Sequence, residues 1–394
     1  MKISKKIKSQ IESGSWIRKM FEEGTALKKK YGEENVYDLS LGNPVMEPPK
    51  KFFEELQRLA NNPKPGLHRY MPNAGYINTR SNIANQLKKE IGLNFSSDDI
   101  VMTCGAGGAL NIILKTLLDP NDEVIIFSPF FAEYIFYIEN HNGKHIIVPP
   151  DNNFHPDLNI FEKSITKKTK AILINSPNNP SGIVYPAKLI EKIANIINKK
   201  QAEFQTDIFV ISDEPYKKIT FDNIKSPEIF HYFNNGIIAT SYSKDLALPG
   251  ERIGYVAIHP EYKYKEEFID GITFCNRTLG FVNAPAIMQN IIANLQNITV
   301  DIESYKLKRD FMYDNLTDMG YTINKPQGAF YMFPKSPIEN ELKFIEELKN
   351  ENVLVVPGRG FGLEGYFRIS YCLENKTLEG SLKGFKSAIN KLNI

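Results

Sequence analysis

From about residue 98 to residue 260, short apolar runs alternate with longer stretches in which apolar residues recur at helical spacing. The runs Ile100–Cys104, Glu123–Phe127, His145–Val148, Ala171–Asn175, Ile208–Ser212, Ile237–Thr240 and Tyr255–Ile258 read as strands. Several lack polar alternation, the pattern of strands covered on both faces. Between them, Gly108–Leu118 sets Leu110, Ile113, Leu114, Leu117 and Leu118 on one buried helix face, and Leu189–Asn198 is similar. This alternation predicts an α/β fold, a mostly parallel central sheet flanked by helices. Beyond about residue 280 the texture changes to long helices, Ala284–Leu316, Glu341–Asn350 and Lys376–Leu392. They surround strands at Ala329–Phe333, Val353–Val356 and Phe367–Tyr371, which predicts a smaller α+β domain. Ser15–Lys30 reads as a single helix.

At 394 residues the chain is long enough for two domains. An apolar content of 42% and a charged content of 24% are those of a soluble globular protein. A formal net charge of +2 argues against nucleic acid or an anionic membrane as partner. No run approaches the ~20 apolar residues of a transmembrane helix. The basic N-terminus lacks the apolar core and cleavage site of a signal peptide. Cys104, Cys275 and Cys372 are odd in number and far apart, which argues against a disulfide framework and fits the cytoplasm. His141 and His145 have i, i+4 spacing but flank the turn-forming Asn142 and Gly143. They read as surface histidines, and no metal site is expected.

The unusual residues fall at the C-terminal ends of the predicted strands, the edge at which open α/β sheets bind ligands. Gly105-Ala106-Gly107-Gly108 follows the first strand, Asn175–Asn179 the fourth, and Ser241–Lys244 the sixth, while Asp213 closes the fifth. The segment Ser241–Gly254, S-Y-S-K-D-L-A-L-P-G-E-R-I-G, carries the most chemistry. Taken alone, a lysine after a strand is usually a solvated strand end. Burial and a neighbouring cation, here Arg252, would instead lower the pKa of Lys244 and make it a nucleophile towards an aldehyde. Ser241, Ser243, Arg252 and nearby amides suit a phosphate. Gly105–Gly108 adds a helix N-terminus open to an anion. It is not a dinucleotide fingerprint, because Leu110 stands where the third glycine belongs, so a single phosphate fits better. Asp213, in V-I-S-D-E-P-Y, is costly after an apolar strand unless paired. A protonated ring nitrogen is one such partner; capping of a following helix is the other reading. Tyr216 stands three residues on, in reach of a ring oxygen, and Asn179 in N-S-P-N-N-P-S-G offers a neutral hydrogen bond.

With these motifs the chain resembles the fold-type-I pyridoxal-phosphate enzymes, specifically the class I/II aminotransferases of the aspartate aminotransferase superfamily. The likeness runs in order from L-S-L-G-N-P near residue 40 to Y-F-R-I-S-Y near residue 369. Its most specific part is S-x-S-K-(x7)-R-[IV]-G together with N-x-P-N-N-P-[ST]-G and S-D-E-x-Y. The resemblance implies a large cofactor-binding domain over 48–282 and a small domain built from 1–47 and 283–394. It implies that Lys244 forms the Schiff base with pyridoxal 5'-phosphate and shuttles the proton, and that Asp213 pairs with the pyridine nitrogen. Asn179 and Tyr216 would bond the phenolate oxygen, and Phe131 would stack on the ring. Ala106, Gly107, Ser241, Ser243 and Arg252 would hold the phosphate. Arg368 would clamp the substrate α-carboxylate, assisted by Asn179 and the backbone near Gly42. Tyr70, in H-R-Y-M-P-N-A-G-Y, would reach the phosphate of a partner subunit, which implies a homodimer with shared sites.

The reaction so implied is a two-step exchange of an amino group between an amino acid and a 2-oxo acid. Arg277, in F-C-N-R-T-L-G-F-V-N-A-P, offers a guanidinium for a side-chain carboxylate, which favours aspartate or glutamate as donor with 2-oxoglutarate as acceptor. Against this, Gly107 stands where some bacterial aspartate enzymes of the family place a lysine for that carboxylate. A structural arginine on a helix end, with alanine or other neutral donors, is the competing reading. A carbon–sulfur lyase or cyclopropane-forming synthase would use the same lysine and arginine. A cofactor-binding transcription regulator is disfavoured by the roughly 40 residues ahead of L-S-L-G-N-P, and a dehydrogenase by the failed glycine fingerprint.

Overall fold

The structure, a computed structural model, describes residues 3–12, 16–63 and 65–392. Its centre is a seven-stranded sheet in the order Ile100–Thr103, Gly254–Ile258, Gly236–Ser241, Phe209–Asp213, Thr169–Asn175, Glu123–Phe127, Lys144–Val148. Gly254–Ile258 runs antiparallel to both neighbours, and the other pairings are parallel. The reversal has a chemical consequence. Residues following the parallel strands and residues preceding Gly254 arrive at the same rim, so Arg252 meets Asp213 and Lys244 there.

Both faces of the sheet are buried, as the unbroken apolar runs predict. Ile126, Leu173, Ile211 and Val256 pack on one side against Leu110, Ile113 and Leu114 of the Gly105–Leu117 helix. On the other, Ile125, Ile172 and Val210 meet Ile190 and Ile193 of Ala187–Phe204, while Met102, Ile238 and Ala257 meet Ile83 and Leu87 of Ile77–Ile91. A separate core gathers Tyr305, Met312, Phe330, Phe344, Phe367 and Phe385 beneath a three-stranded antiparallel sheet, Val356–Pro357, Phe367–Ser370 and Tyr331–Met332. Tyr37–Asp38 pairs in parallel with Val353–Leu354, joining the N-terminal segment to this C-terminal part.

Two sequence expectations change. The helix expected over Ala284–Leu316 is two helices, Ala286–Ile292 and Ile302–Asp318. The break carries Asn294, Asn297 and Thr299, and Asp301 caps the second helix by accepting from the amides of Glu303 and Ser304. His141 is buried, not on the surface, with Nε2 against Asn111 Oδ1 at 3.1 Å. Burial lowers its pKa to about 4, aided by Lys115 and Lys6, so it is neutral at physiological pH. His145 stays half-exposed, 3.4 Å from Glu139. The expected N-terminal helix is found over Trp16–Tyr31, with Ser15 outside the described residues. The three cysteines are free. Among the described residues no helix is long and apolar enough to cross a membrane, and no cluster of metal-ligating side chains occurs.

Candidate active site

At the common rim, one cavity of about 300 Å³ is lined by Gly42, Ala106, Gly107, Phe131, Asn179, Asp213, Tyr216, Ser241, Ser243, Lys244, Arg252 and Arg368. Twelve of the fourteen residues singled out in the sequence therefore converge. The cavity is also lined by Leu110, Asn175, Pro215 and Pro249, and by Tyr137 and Tyr331, which stand in none of the sequence motifs.

One end is built for an anion. Gly105 opens its helix with φ of +73°, and a Cβ there would lie 2.9 Å from Arg252 Nη2. The glycine thus lets the guanidinium close over the helix start. Arg252, itself left-handed at φ of +51°, donates from Nη1 to Pro249 O at 2.9 Å. Free amides, the positive end of the helix dipole, a guanidinium and the side chains of Ser241 and Ser243 share this end.

The floor of the cavity carries Asp213, only 5% exposed. Tyr134 Oη donates to its Oδ2, while Oδ1 is buried without a hydrogen-bond partner among the described residues. Burial pushes the carboxyl up to about 7; the Tyr134 bond opposes this, and neighbouring Glu214 adds to it. An orphan carboxylate oxygen in a buried site is expensive, and a cationic ring N–H would satisfy it. Asn175 ties two motifs together here, donating to Asp213 O at 2.9 Å and accepting from the Asn179 amide at 2.7 Å.

Lys244 lies in the turn three residues beyond its strand, and its Nζ donates to Gly42 O at 2.8 Å. Burial lowers its pKa to about 8; the Cys372 thiol opposes, and Arg368 and Arg252 add to the lowering. The amine is therefore poised to lose its proton near neutral pH.

Arg368, 2% exposed, lies between the rings of Tyr331 and Phe361, at 4.5 and 4.7 Å from their centroids. Nη1 donates to Asn179 Oδ1 at 3.0 Å and Nη2 to Ser40 O at 2.6 Å, while Nε has no partner among the described residues. A buried guanidinium bonded only to neutral oxygens calls for an anion, and a planar carboxylate matches its fork. Tyr216 Oη lies 3.0 Å from Tyr331 Oη, so the two phenols form one pair on the cavity wall.

Two predicted residues lie elsewhere. Tyr70 is 91% exposed, and Arg277 is exposed at the last turn of the Lys265–Thr278 helix, over the Phe274 ring at 5.6 Å. Their segments are tied together, since Asn276 Nδ2 donates to Asn73 O at 3.2 Å and Asn283 Nδ2 to Pro72 O at 3.1 Å. Both residues thus belong to one outer region of the molecule.

The donor set fits pyridoxal phosphate: a nucleophilic amine, an orphan carboxylate oxygen for the pyridine nitrogen, and a one-phosphate cup at the opposite end. Comparison with known proteins agrees. Residues 34–384 match the family described as Aminotransferase class I and II. A Methanocaldococcus jannaschii protein named "Probable aspartate aminotransferase" is 33% identical over 355 residues, 88% of this chain and 91% of that protein. Aromatic-amino-acid aminotransferase 2 of Thermococcus litoralis is 30% identical over 394 residues, covering 96% and 97%. The crystal structure of an amino transferase from Eubacterium rectale superposes with a TM-score of 0.96 at 38% identity, with 100% of each chain covered. The chain belongs to the class I and II aminotransferases, the pyridoxal-phosphate-dependent transaminases.

Proposed function

We propose that this transaminase moves the amino group of an acidic L-amino acid, aspartate or glutamate, to a 2-oxo acid such as 2-oxoglutarate. The observation that carries the transfer chemistry is the half-buried amine of Lys244 in one cavity with a carboxylate-seeking guanidinium and an orphan Asp213 oxygen. Bound pyridoxal phosphate supplies an aldehyde carbon for amines and an electron-withdrawing ring that spreads the charge left at Cα.

The chain's own residues then do the following. Arg368, with Asn179, holds the donor's α-carboxylate and so fixes Cα near Lys244. Lys244 Nζ takes the Cα proton and delivers it again, a task suited to a pKa of about 8. Asp213 Oδ1 keeps a proton on the ring nitrogen. Asn179 and Tyr216 donate to the ring oxygen, and Phe131 covers the ring face. Ala106, Gly107, Ser241, Ser243 and Arg252 anchor the phosphate, and the Gly42 backbone bounds the substrate end.

The acidic donor is supported by the name of the M. jannaschii relative. Within one chain the cavity offers two guanidiniums, Arg252 and Arg368, and this reading commits both to other anions. A side-chain carboxylate therefore needs a cation from outside, and Arg277 of a second subunit is the proposed source. The shared outer region of Tyr70 and Arg277 supports a homodimer with composite sites. An aromatic donor is the second reading, favoured by the T. litoralis relative and by Phe131, Tyr137 and Tyr331 along the cavity. The pairing of Tyr37–Asp38 with Val353–Leu354 supports a small domain from 1–47 and 283–394 beside a large one over 48–282. Three free cysteines support the cytoplasm as its compartment.

The test is to mix the aldehyde form with single amino acids and follow the loss of its yellow absorbance. Aspartate and glutamate should bleach it with the highest kcat/KM. A neutral or aromatic donor that exceeds them, with the ranking intact in Arg277→Ala, would overturn the acidic reading and leave the transaminase.

A further inference from the structure

The anion cup has a gap in its side-chain donors. Gly105, Ala106, Gly107 and Gly108 carry no hydroxyl, so the helix start contributes backbone amides alone. Directly over it sits a tyrosine from a different element, the Glu133–Asn140 helix. A Cβ built on Gly107 would lie 3.2 Å from Tyr137 Oη and 3.9 Å from its Cζ. The phenol therefore occupies the space that a side chain at 107 would fill. Tyr137 lines the same cavity as Arg252, Ser241 and Ser243, and its hydroxyl makes no hydrogen bond to any described residue.

We infer that Tyr137 is a further ligand of the cofactor's phosphate, its hydroxyl donating from above Gly107 to a phosphate oxygen. The inference rests on the proposed phosphate cup at Arg252. Several observations bear on it. Burial pushes the phenol up to about 12, with Glu133 and Asp213 adding and Arg252 opposing, so Tyr137 stays protonated and is a donor at working pH. Tyr137 Oη stands over Gly107 and Arg252 over Gly105, two residues apart at the start of one helix and on the wall of one cavity. Each terminal oxygen of a phosphate accepts more than one hydrogen bond, so a phenol can join Ser241, Ser243, Arg252 and the amides of Ala106 and Gly107. The short residue at 107 and the long one at 137 are then a matched pair. Gly107 leaves the room, and Tyr137 brings the hydroxyl.

The test separates the phosphate from the rest of the cofactor. Dissociation constants of cofactor-free protein for pyridoxal phosphate and for pyridoxal are measured in wild type, Tyr137→Phe and Arg252→Gln. Tyr137→Phe should weaken pyridoxal phosphate roughly tenfold, the worth of one hydrogen bond to a charged group, and leave pyridoxal unchanged. Gly107→Ser in the Tyr137→Phe background restores a hydroxyl in the vacated space and should recover much of the loss, which a purely structural role for the phenol would not permit. Equal weakening of both ligands, or an unchanged ratio while Arg252→Gln alters it, overturns the assignment of Tyr137. A raised KM for the amino donor with cofactor affinity intact does so too, by moving the phenol to the substrate. If Arg252→Gln also leaves the ratio unchanged, the phosphate cup itself is wrong.

Discussion

Tyr134 Oη donates to one oxygen of Asp213 and leaves the other without a partner among the described residues. The pair sets how the carboxylate serves the enzyme. A carboxylate buried in this way is a strong base, and a strong base would draw the proton off a ring nitrogen. The phenol bond weakens that basicity, so in the proposed site Asp213 would leave the proton on the nitrogen of bound pyridoxal phosphate, where it would make the ring an electron sink.

The same burial predicts a conflict between stability and function. Asp213 has its folded pKa raised to about 7 from 3.8, so the native state binds the extra proton between those values. Its stabilising contribution is present below pH 3.8 and is lost as pH rises through about 7. Cofactor-free Asp213→Asn should therefore melt a few degrees above wild type at pH 8, with the advantage gone near pH 4. Its cofactor affinity should fall. Thermal melts across that pH range check this, and a variant less stable than wild type at pH 8 would contradict the account.

Lys244 carries the opposite sign. Its folded pKa is lowered to about 8 from 10.5, so below pH 8 the buried ammonium costs stability, and that cost is relieved as pH rises towards 10.5. In cofactor-free protein, borohydride trapping of pyridoxal on this lysine should increase with pH through a midpoint near 8, as the free amine appears. Lys244→Ala should abolish the trapped peptide and essentially all turnover. Trapping on a different lysine would move the catalytic assignment.

Much of this site was legible in the sequence because its residues follow short apolar runs rich in β-branched residues and bounded by glycine, proline and asparagine, which read as buried strands. Lys244, Asp213, Arg252 and the glycine turn could be ordered along one rim from strand ends alone. Tyr134 and Tyr137 could not, since a tyrosine on an amphipathic helix looks the same whether it packs in a core or turns its hydroxyl into a cavity. Tyr331 hid in an apolar run, Ala329–Phe333, where alternation fixes the face but not the neighbour across it. Arg309 was hidden too. It is 1% exposed and forked on Asp222 at 2.6 and 3.2 Å, a pairing across 87 residues that no local pattern reveals. The helix break after Ile292 is marked in the sequence only by Asn294, Asn297 and Asp301, against an apolar period that continues on both sides.

Arg368 should tolerate no other cation. Its Nη1 and Nη2 are held by Asn179 and Ser40 while its plane is gripped between two rings, so the fork is fixed before substrate arrives. A lysine keeps the charge but loses the planar, two-point geometry. Arg368→Lys should raise the KM for amino and oxo acid together, by about ten- to a hundredfold, the loss of a charged hydrogen bond or two. The dissociation constant of pyridoxal phosphate should stay near that of wild type. Unchanged KM values for both substrates would remove the clamp role.

The outer region that holds Tyr70 and Arg277 makes a prediction about assembly. Tyr70 is 91% exposed, an unusual position for a large aromatic side chain that has no use beyond its own subunit. If its hydroxyl serves the phosphate of a second chain, each site needs Lys244 from one subunit and Tyr70 from the other. Tyr70→Phe and Lys244→Ala proteins should then complement. Each hybrid dimer carries one site with both residues intact and one with both altered, so at limiting cofactor activity should rise above that of either parent as subunits exchange. Were each chain to build its own complete site, no hybrid would contain an intact one, and mixing would give only the average of the parents. Subunit exchange is verified independently by mass tagging of the two variants, so an absence of recovery reads on the site and not on the mixing.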